Sequence, residues 1–545
     1  PTLQNETFVH EFTYDALNRP VTQTLPDTST QTNTYNKAGL LETVAKDSVL
    51  YVTNINYNEK GQREAIYYGN GSKTRYYYNP LNFKLTRMLT TRNTGQDILQ
   101  DLNYTYDPVG NIVEVVDNAQ QIHYFSNSVI EPRGLYEYDA LYRLTKAQGR
   151  EKSGIANAPT NADLSFDIPL PNTGTNCMEN FTQLFEYDQL GNILSMASQG
   201  KWLRNYVYDT NTNQLLKHDP QQTLPDYTYD QHGNITSMPG IEEMQWNHND
   251  LMKKTQSGTV TTYYTYGSSG ERARKVSEKQ GGLREERLYV GVYEVYRKFQ
   301  NNVLVTERTT THISDDKSRI ALTEKLTIDN EIPVTTTEIV RYQYSNHLGS
   351  ASLELDENAL IISYEEYHPF GTTSYHSGNN ETEVKRKRYR YVGKERDEET
   401  GLYNYGFRMY APWLGRFISV DPLQHDYPYY TPFQYAGNKP ITFIDLDGLE
   451  EAESSILQNQ NRINDQTPSE AKKNIYIFIG NQKEIDEFFQ DDRGNNGTFY
   501  QIVETDLWEA SKKLNAYLGK EKAENVVIST HGGPGKLAIS KGKPV

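Results

Sequence analysis

A short pattern that recurs about every 21 residues constrains the fold of this chain more than any other feature. Each copy is Tyr-Asp or Tyr-Asn, followed by two residues and then, in most copies, Gly or Asn. The clear copies begin at Tyr14, Tyr35, Tyr57, Tyr78, Tyr106, Tyr138, Tyr187 and Tyr229, with degenerate copies at Tyr208 and Tyr266. A regular period of this length indicates one supersecondary unit that stacks on its neighbours.

Each copy has the chemistry of a β-hairpin turn. Asp or Asn closes a tight turn with its short side chain, and Gly or Asn accepts the left-handed backbone position. Flanking runs such as 103–106 and 112–116 alternate or are β-branched, which favours strands. One hairpin cannot bury a face alone, so the copies predict a long spiralling antiparallel sheet with a tyrosine ladder whose hydroxyls lie at the wet edge. A solid sandwich of ordinary hairpins is the alternative, and helix is expected to be nearly absent before residue 450.

Composition excludes several classes of protein. The 545 residues carry 55 Lys and Arg against 71 Asp and Glu, and the net charge of −16 argues against general binding to nucleic acid or anionic membranes. No apolar run is long enough to span a bilayer. The single cysteine, Cys177, excludes a disulfide framework and a cysteine metal cluster, and neither a metal nor a cofactor is predicted.

The basic run 385–390 is interpreted as a solvated strand face. No Sec signal is visible, and we expect the chain to start inside a longer protein.

The repeats resemble the YD repeats of RHS (rearrangement hotspot) proteins. The stretch from Tyr106 to Arg150 is similar to the C component of bacterial Tc toxins, and so are the stretches that begin at Tyr344 and Tyr364. A long motif follows at 389–422, from Tyr-Arg-Tyr-Val-Gly-Lys-Glu-Arg-Asp to Gly-Arg-Phe-Ile-Ser-Val-Asp-Pro, and it resembles the RHS-associated core. The resemblance covers roughly residues 1–449.

The resemblance implies both a fold and a role. In this family the repeats form a hollow β-cocoon closed at one end by the core segment, and a variable C-terminal toxin is cut off and held inside until delivery. In Tc toxins the shell is shared with a B component and docks on a pore-forming A component. We therefore expect a mostly β protein with a YD-repeat shell at 1–370, an RHS-associated core at 371–449 and toxin cargo at 450–545.

The resemblance also implies a self-cleaving aspartyl site. Hydrolysis of a peptide bond at neutral pH needs one carboxylate to activate water and an acid to supply a proton, and two adjacent carboxyls can share these roles. By resemblance to the family's site, the pair is Asp421 and Asp445, and the cut is expected between Leu449 and Glu450. A substrate in the same chain gains a large proximity advantage, so a modest site is adequate for one turnover.

Several alternatives stay open at this site. Arg408 and Arg416 are both candidates to orient a carboxylate or polarise the scissile carbonyl, with Arg408 slightly favoured. The usual second motif is Asp-Pro-x-Gly, but Leu446 stands in place of the Pro, so Asp447 is a rival to Asp445. Asp-Pro and Asp-x-Asp-Gly are also common turn formers, and the two arginines could equally be structural ion-pair partners.

Composition changes after residue 449. Apolar runs at 473–480 and 525–530 predict buried strands, and helical spacing at 484–489 and 506–519 lies between them, which indicates an α/β segment with a parallel sheet. His531-Gly-Gly-Pro-Gly follows the second strand, where a plain glycine-rich turn is at least as good an interpretation as a catalytic loop. A tail enclosed by the shell can be unfolded there, and we expect the cargo to be incomplete.

The sequence therefore predicts a shell that encloses a toxin and releases it by a single-turnover, intramolecular aspartic protease, as in the Tc toxin C component. The expected partners are a B component that completes the shell, through it a pore-forming A component, and the chain's own C-terminal toxin, with no nucleic acid. The expected location is a secreted or extracellular toxin complex. An antibacterial RHS effector delivered by contact-dependent secretion is one alternative, and a non-catalytic YD-repeat surface protein is another.

Overall fold

Short β-strands make up almost all of the regular structure. The computed structural model describes residues 6–164, 178–218, 226–378, 387–427, 430–449, 451–453, 473–479 and 523–530. It divides into two compact units, Pro1–Gln460 and Asn461–Val545. The helical elements in this part of the chain are short 3-10 turns at Asn93–Gly95, Gln280–Gly282, Tyr391–Gly393 and Ala436–Asn438. The predicted mostly β fold is confirmed.

The strands fall into two long series along the chain. The first series is β1 (Glu11–Tyr14), β2 (Pro20–Thr24), β3 (Thr30–Tyr35), β4 (Leu41–Lys46), β5 (Val49–Tyr57), β6 (Arg63–Tyr68), β7 (Lys73–Tyr78), β8 (Leu85–Arg92), β9 (Asp97–Tyr106), β10 (Ile112–Asp117), β11 (His123–Phe125), β12 (Ser128–Ile130), β13 (Arg133–Tyr138), β14 (Leu144–Lys152), β15 (Met178–Tyr187), β16 (Ile193–Ser198), β17 (Trp202–Asn205), β18 (Val207–Tyr208), β19 (Leu215–Lys217), β20 (Thr228–Tyr229) and β21 (Ile235–Ser237). The second series is β22 (Glu243–Trp246), β23 (Met252–Ser257), β24 (Val260–Tyr266), β25 (Arg272–Lys279), β26 (Leu283–Val290), β27 (Tyr293–Gln300), β28 (Val303–Ser314), β29 (Arg319–Asp329), β30 (Ile332–Pro333), β31 (Ile339–Ser345), β32 (Ala351–Leu355), β33 (Ile361–Tyr367), β34 (Thr373–Gly378), β35 (Glu395–Arg396), β36 (Tyr403–Asn404), β37 (Met409–Ala411), β38 (Arg416–Phe417), β39 (Phe443–Asp445) and β40 (Glu451–Glu453).

Two large sheets contain most of these strands. A 15-stranded sheet runs from β1 to β10 and on through β13 to β17, and a 13-stranded sheet runs from β22 to β34. Strands that are adjacent in the sheets pair antiparallel and follow one another along the chain, apart from the pairs β10–β13 and β29–β31, as hairpin repeats require. The two-stranded ribbons β18–β19 and β20–β21 lie between the two sheets in the chain.

The second sheet lies beside the first, and successive strands of the second contact successive strands of the first. Side-chain hydrogen bonds between the sheets advance along both at once, and they join Gln31 to His312, Asn70 to Tyr344, Gln100 to Ser352 and Arg150 to Glu366. A shared apolar cluster lies along the same path, with side chains from β4, β5 and β6 beside side chains from β28, β29 and β31. Because both partners advance together, the chain follows a spiral, and the predicted spiralling sheet is confirmed.

The repeat tyrosines tie each hairpin to the one before it. The hydroxyl of Tyr106 donates to the backbone carbonyl of Leu85 at 2.7 Å, one repeat earlier. Equivalent bonds to the preceding repeat are made by Tyr35, Tyr57, Tyr78, Tyr138, Tyr187, Tyr208 and Tyr229. Trp246 replaces the tyrosine in one turn, and its indole N–H donates to the Ile235 carbonyl at 2.8 Å. The expectation that these hydroxyls lie at the wet edge is therefore wrong for most copies, whose hydroxyls are part-buried against backbone carbonyls, whereas the bond of Tyr35 is exposed.

This bond predicts a cost for losing a single hydroxyl. Tyr106→Phe removes the donor from the Leu85 carbonyl and is expected to lower the free energy of unfolding by about 1 kcal/mol. A lower urea midpoint measures the loss. Tyr124→Phe is the control, because that ring is 73% exposed and removal of its hydroxyl is expected to leave the midpoint unchanged. Equal midpoints for the two variants would contradict the interpretation.

Buried ion pairs hold the described part of the core segment, which is predicted at 371–449, against the rest of the fold. Lys387 pairs with Glu365 at 2.9 Å, and Arg388 pairs with Glu294 at 2.5 Å. Arg390 is also buried, and its guanidinium pairs with Asp163. The interpretation of the basic run as a solvated strand face is therefore wrong for these described residues. Each cation pairs with a carboxylate from a strand of the sheets or from a connecting loop. The alternation of basic and aromatic residues along the chain could not predict these long-range pairs.

The later part of the core segment contains a buried cluster of aromatic side chains. Tyr405, Tyr410, Phe417 and Tyr435 are fully buried, and their ring centroids lie 4.2 to 5.9 Å apart. The hydroxyl of Tyr405 donates to that of Tyr435 at 2.9 Å. Tight aromatic packing of this kind holds the short strands β36, β37 and β38 rigidly.

The second unit contains two described strands, β41 (Lys473–Ile479) and β42 (Ala523–Thr530), which pair in parallel. Both strands and their parallel pairing agree with the prediction from the apolar runs. The predicted helices at 484–489 and 506–519, and His531, lie outside the described residues.

Candidate active site

The predicted cut lies in the turn of a small hairpin. Strand β39 ends at Asp445 and pairs antiparallel with β40, so that Asp445 lies opposite Glu451. The intervening turn contains Gly448 and Leu449, while Glu450 lies outside the described residues. Gly448 has a φ of 91°, a conformation that side chains other than glycine rarely adopt. Its N–H donates to Oδ1 of Asp445 at 2.5 Å, so one candidate carboxylate also closes the turn.

Arg408 brings the two candidate carboxylates together. Its Nη1 lies 2.9 Å from Oδ2 of Asp421, and its Nη2 lies 3.1 Å from Oδ2 of Asp445. Its Nε donates to the carbonyl of Gly448. The guanidinium is buried and lies over the ring of Phe417 at 3.8 Å. The fork geometry of arginine allows one side chain to bind all three groups.

Burial controls the protonation of this cluster. Burial raises the pKa of Asp445 to about 6, although Arg408 opposes the shift. Burial also raises the pKa of Asp421 above its ordinary value, again against the effect of Arg408. The Asp445 side chain is 3% exposed and that of Asp421 is 17% exposed, so Asp421 is the carboxyl more open to water. A pair with raised pKa values can hold a proton close to neutral pH.

A cavity of about 230 Å³ joins these groups to the predicted cut. Arg408, Asp421, Asp445 and Leu449 all line it. Its other walls are formed by further residues of the core segment, both polar and apolar, namely Gln424, Tyr427, Tyr430, Thr431, Pro432, Gln434, Ala436 and Gly437. A polar cavity of this size has room for water beside Leu449. The arrangement can therefore place a water molecule, two carboxyls and a cation beside Leu449.

The other two candidates lie outside this cluster. Arg416 donates to the carbonyl of Asn213 at 3.1 Å and lies over the ring of Phe433 at 4.6 Å. The Asp447 side chain is exposed, and its backbone carbonyl accepts a hydrogen bond from the N–H of Phe407 at 2.9 Å. The geometry thus favours Arg408 over Arg416 and Asp445 over Asp447.

Sequence reasoning missed one group at the hairpin. The ammonium of Lys394 donates to the carbonyl of Leu446, at the start of the turn. Lys394 belongs to the Val-Gly-Lys-Glu stretch of the core motif, but no spacing rule relates it to a turn some fifty residues later. Among the described residues, no three His, Cys, Asp or Glu side chains are placed to hold a metal ion. In the same part of the chain, no helix has the length and apolar character needed to cross a membrane.

Comparisons with known proteins agree with the fold. No protein-family model matches the chain. Toxin subunit YenC1 of Yersinia entomophaga is 31% identical over 425 residues, which cover 73% of this chain and 42% of that subunit. A crystal structure of TcdB2-TccC3 superposes with a TM-score of 0.73 at 28% identity, over 82% of this chain and 22% of that one. A structure of the Photorhabdus luminescens Tc holotoxin pore gives a TM-score of 0.70 at 29% identity, with the same coverage.

The fold and these relatives agree with the resemblance to RHS proteins that have YD repeats and an RHS-associated core. Within that class, the chain is similar to the C component of bacterial Tc toxins. It spans less than half the length of the curated toxin subunit it matches.

Proposed function

We propose that the chain is a toxin-encapsulating shell component that cuts itself once, between Leu449 and Glu450. In this proposal, residues 371–449 form the cutting core on the 1–370 shell, and residues 450–545 are the cargo. One observation carries the proposal: Arg408 binds both candidate carboxylates and also the carbonyl of Gly448, one residue before the predicted cut. A merely structural ion pair has no need to include the backbone of that turn.

The proposed reaction is a hydrolysis with separate base and acid. Ionised Asp421 takes a proton from a water molecule in the cavity, and the water oxygen attacks the carbonyl carbon of Leu449. Protonated Asp445 gives its proton to the nitrogen of Glu450 as the carbon–nitrogen bond breaks. Arg408 stabilises the negative charge that develops beside it. Since the substrate belongs to the same chain, its position is set by folding, and one turnover is sufficient.

This assignment predicts the pH dependence of the cut. The pKa of Asp445 is raised to about 6, so its acid form dominates below pH 6 and falls about tenfold per unit above it. We expect the rate of self-cleavage to decline from pH 6 to pH 8, and to decline again in acid as Asp421 takes up a proton. The measurement is cell-free translation followed by a shift to buffers between pH 4 and pH 8, with the cut fraction timed on gels. A rate that keeps rising through pH 8 would exclude Asp445 as the acid.

Intact mass spectrometry under denaturing conditions tests the proposed function. Wild type is expected to give separate masses for residues 1–449 and 450–545, and Asp421→Asn is expected to give one full-length mass. Asp426→Asn is the matched control, because this exposed carboxyl lies in the same loop, and it is expected to be cut like wild type. A single full-length mass for wild type would remove the protease and leave a passive container or scaffold.

The same proposal includes partners and a location. Related chains occur in the TcdB2-TccC3 structure and in a Tc holotoxin pore, which supports a B component that completes the shell and a pore-forming A component reached through it. The complex is proposed to be a secreted toxin. Co-expression with a B component, followed by size-exclusion chromatography, is expected to give one stable complex. Separate elution of the two chains would contradict this part of the proposal.

A further inference from the structure

The turn of the cleavage hairpin is held at three successive backbone carbonyls. Each carbonyl accepts a hydrogen bond from a different part of the core segment: Leu446 from the Lys394 ammonium, Asp447 from the Phe407 N–H at 2.9 Å, and Gly448 from the Arg408 guanidinium. The next carbonyl is that of Leu449, at the predicted cut. The turn is therefore fixed up to the residue at which the proposed reaction takes place.

Local hydrogen bonds and a buried aromatic ring support Lys394. It follows the 3-10 turn Tyr391–Gly393, and its own N–H donates to the carbonyl of Tyr391 at 3.0 Å. Its ammonium lies 5.2 Å from the ring centre of Tyr405, a member of the buried aromatic cluster. A side chain supported in this way can hold its partner in one position.

Lys394 and Arg408 approach the hairpin from different cavities. Lys394, Asp445 and Leu446 line a second cavity of about 420 Å³, whereas Arg408 lines the smaller one with Leu449. The turn also fits closely against Arg408, since a Cβ on Gly448 would lie 2.8 Å from the Arg408 backbone nitrogen. Movement of Gly448 toward Arg408 is thus blocked. The bond from Lys394 adds a restraint at Leu446, the other end of the turn.

We propose that Lys394 is a positioning residue for self-cleavage, which holds the Leu446 carbonyl so that the bond after Leu449 stays beside Asp421 and Asp445. The inference rests on the proposed function. Lys394 is hydrogen-bonded to the turn and to neither carboxyl, although its ammonium also interacts electrostatically with Asp445 and Asp447, so its positional effect is transmitted through the turn. Leu446 is exposed, so water can take over its carbonyl when the ammonium is absent. Loss of Lys394 therefore affects position more than stability.

Timed cell-free translation of the full chain tests this role. Lys394→Met keeps the aliphatic stem but removes the donor, and we expect self-cleavage about 10- to 100-fold slower than wild type. Lys394→Arg restores a donor and is expected to recover most of the rate. Lys254→Met is the control, because it removes a lysine paired with Glu243 in the sheet, and it is expected to be cut at the wild-type rate. Lys394→Met cut as fast as wild type would overturn the proposal.

A second measurement does not depend on the cut. In an Asp421→Asn background, Lys394→Met is expected to speed amide hydrogen exchange at 446–449 while leaving the urea midpoint unchanged. Unchanged exchange would show that Lys394 does not hold the turn. If wild type stays uncut but exchange is faster in the Lys394→Met variant, the proposed function is rejected, whereas the contact between Lys394 and the turn is supported. Lys394→Met also removes a cation near Asp445, which raises the pKa of that acid and moves the decline to higher pH, so the positioning role is measured from the rate at pH 6 and below.

Discussion

Asp445→Asn is expected to yield an uncut chain, whereas Asp447→Asn is expected to be cut like wild type. Asn at 445 keeps the size of the side chain and can still accept the Gly448 N–H, but it cannot supply a proton. Removing a general acid typically costs about 100- to 10,000-fold in rate. The Asp447 carboxyl is exposed, and its residue contributes to the turn through a backbone carbonyl, which the substitution keeps.

Denaturing mass spectrometry of the two variants beside wild type measures this difference. Circular dichroism of Asp445→Asn provides the control for folding, and a wild-type spectrum is expected. Cleavage that survives in Asp445→Asn and is lost in Asp447→Asn would transfer the acid role to Asp447 and contradict the geometry described above.

The second large effect is expected from a conservative change at Arg408. Arg408→Lys keeps the charge, but a single ammonium cannot bind Asp421, Asp445 and the Gly448 carbonyl in the fixed fork geometry of arginine. We expect self-cleavage to slow by on the order of 100-fold, because both the carboxyls and the turn lose their common anchor.

Arg416→Lys is the matched control for this change. Arg416 lies in the same core segment and also over an aromatic ring, but its guanidinium donates to the carbonyl of Asn213. A lysine there keeps a cation over Phe433, so cleavage close to the wild-type rate is expected. The rate is read as the cut fraction against time in cell-free translation. Equal slowing in the two variants would mean that Arg408 acts only through the general stability of the core.

The repeat pattern was sufficient to predict the sheets because its determinants are local. Asp107 shows the reason: its Oδ1 accepts the N–H groups of Val109, Gly110 and Asn111, all within four residues. Such turns depend on residues that are adjacent in sequence, so a period of hairpins can be inferred without knowing the tertiary structure. The destination of the tyrosine hydroxyls could not be inferred, because Tyr106 and Leu85 meet only when one hairpin pairs with the next.

The candidate site shows the same difference between what the sequence predicts and what only long-range contacts decide. The sequence and its family resemblance pointed to Asp421, Asp445 and Arg408, but they also left Arg416 and Asp447 open. Arg408 and Arg416 are equivalent by residue type and motif, and only packing on Phe417 and the ion pairs at Asp421 and Asp445 distinguish Arg408.

The sequence by itself thus determined the repeat, the turns and the strand-rich fold, because each depends on neighbours along the chain, while the candidate carboxylates were implied by the family resemblance. Only the tertiary structure decided which candidates meet, which carboxyl is more deeply buried and which groups hold the turn. Lys394 and Leu446 are far apart in sequence, and their contact exists because the core segment folds back on itself. Burial and long-range contact depend on the complete packing, and no local pattern contains them.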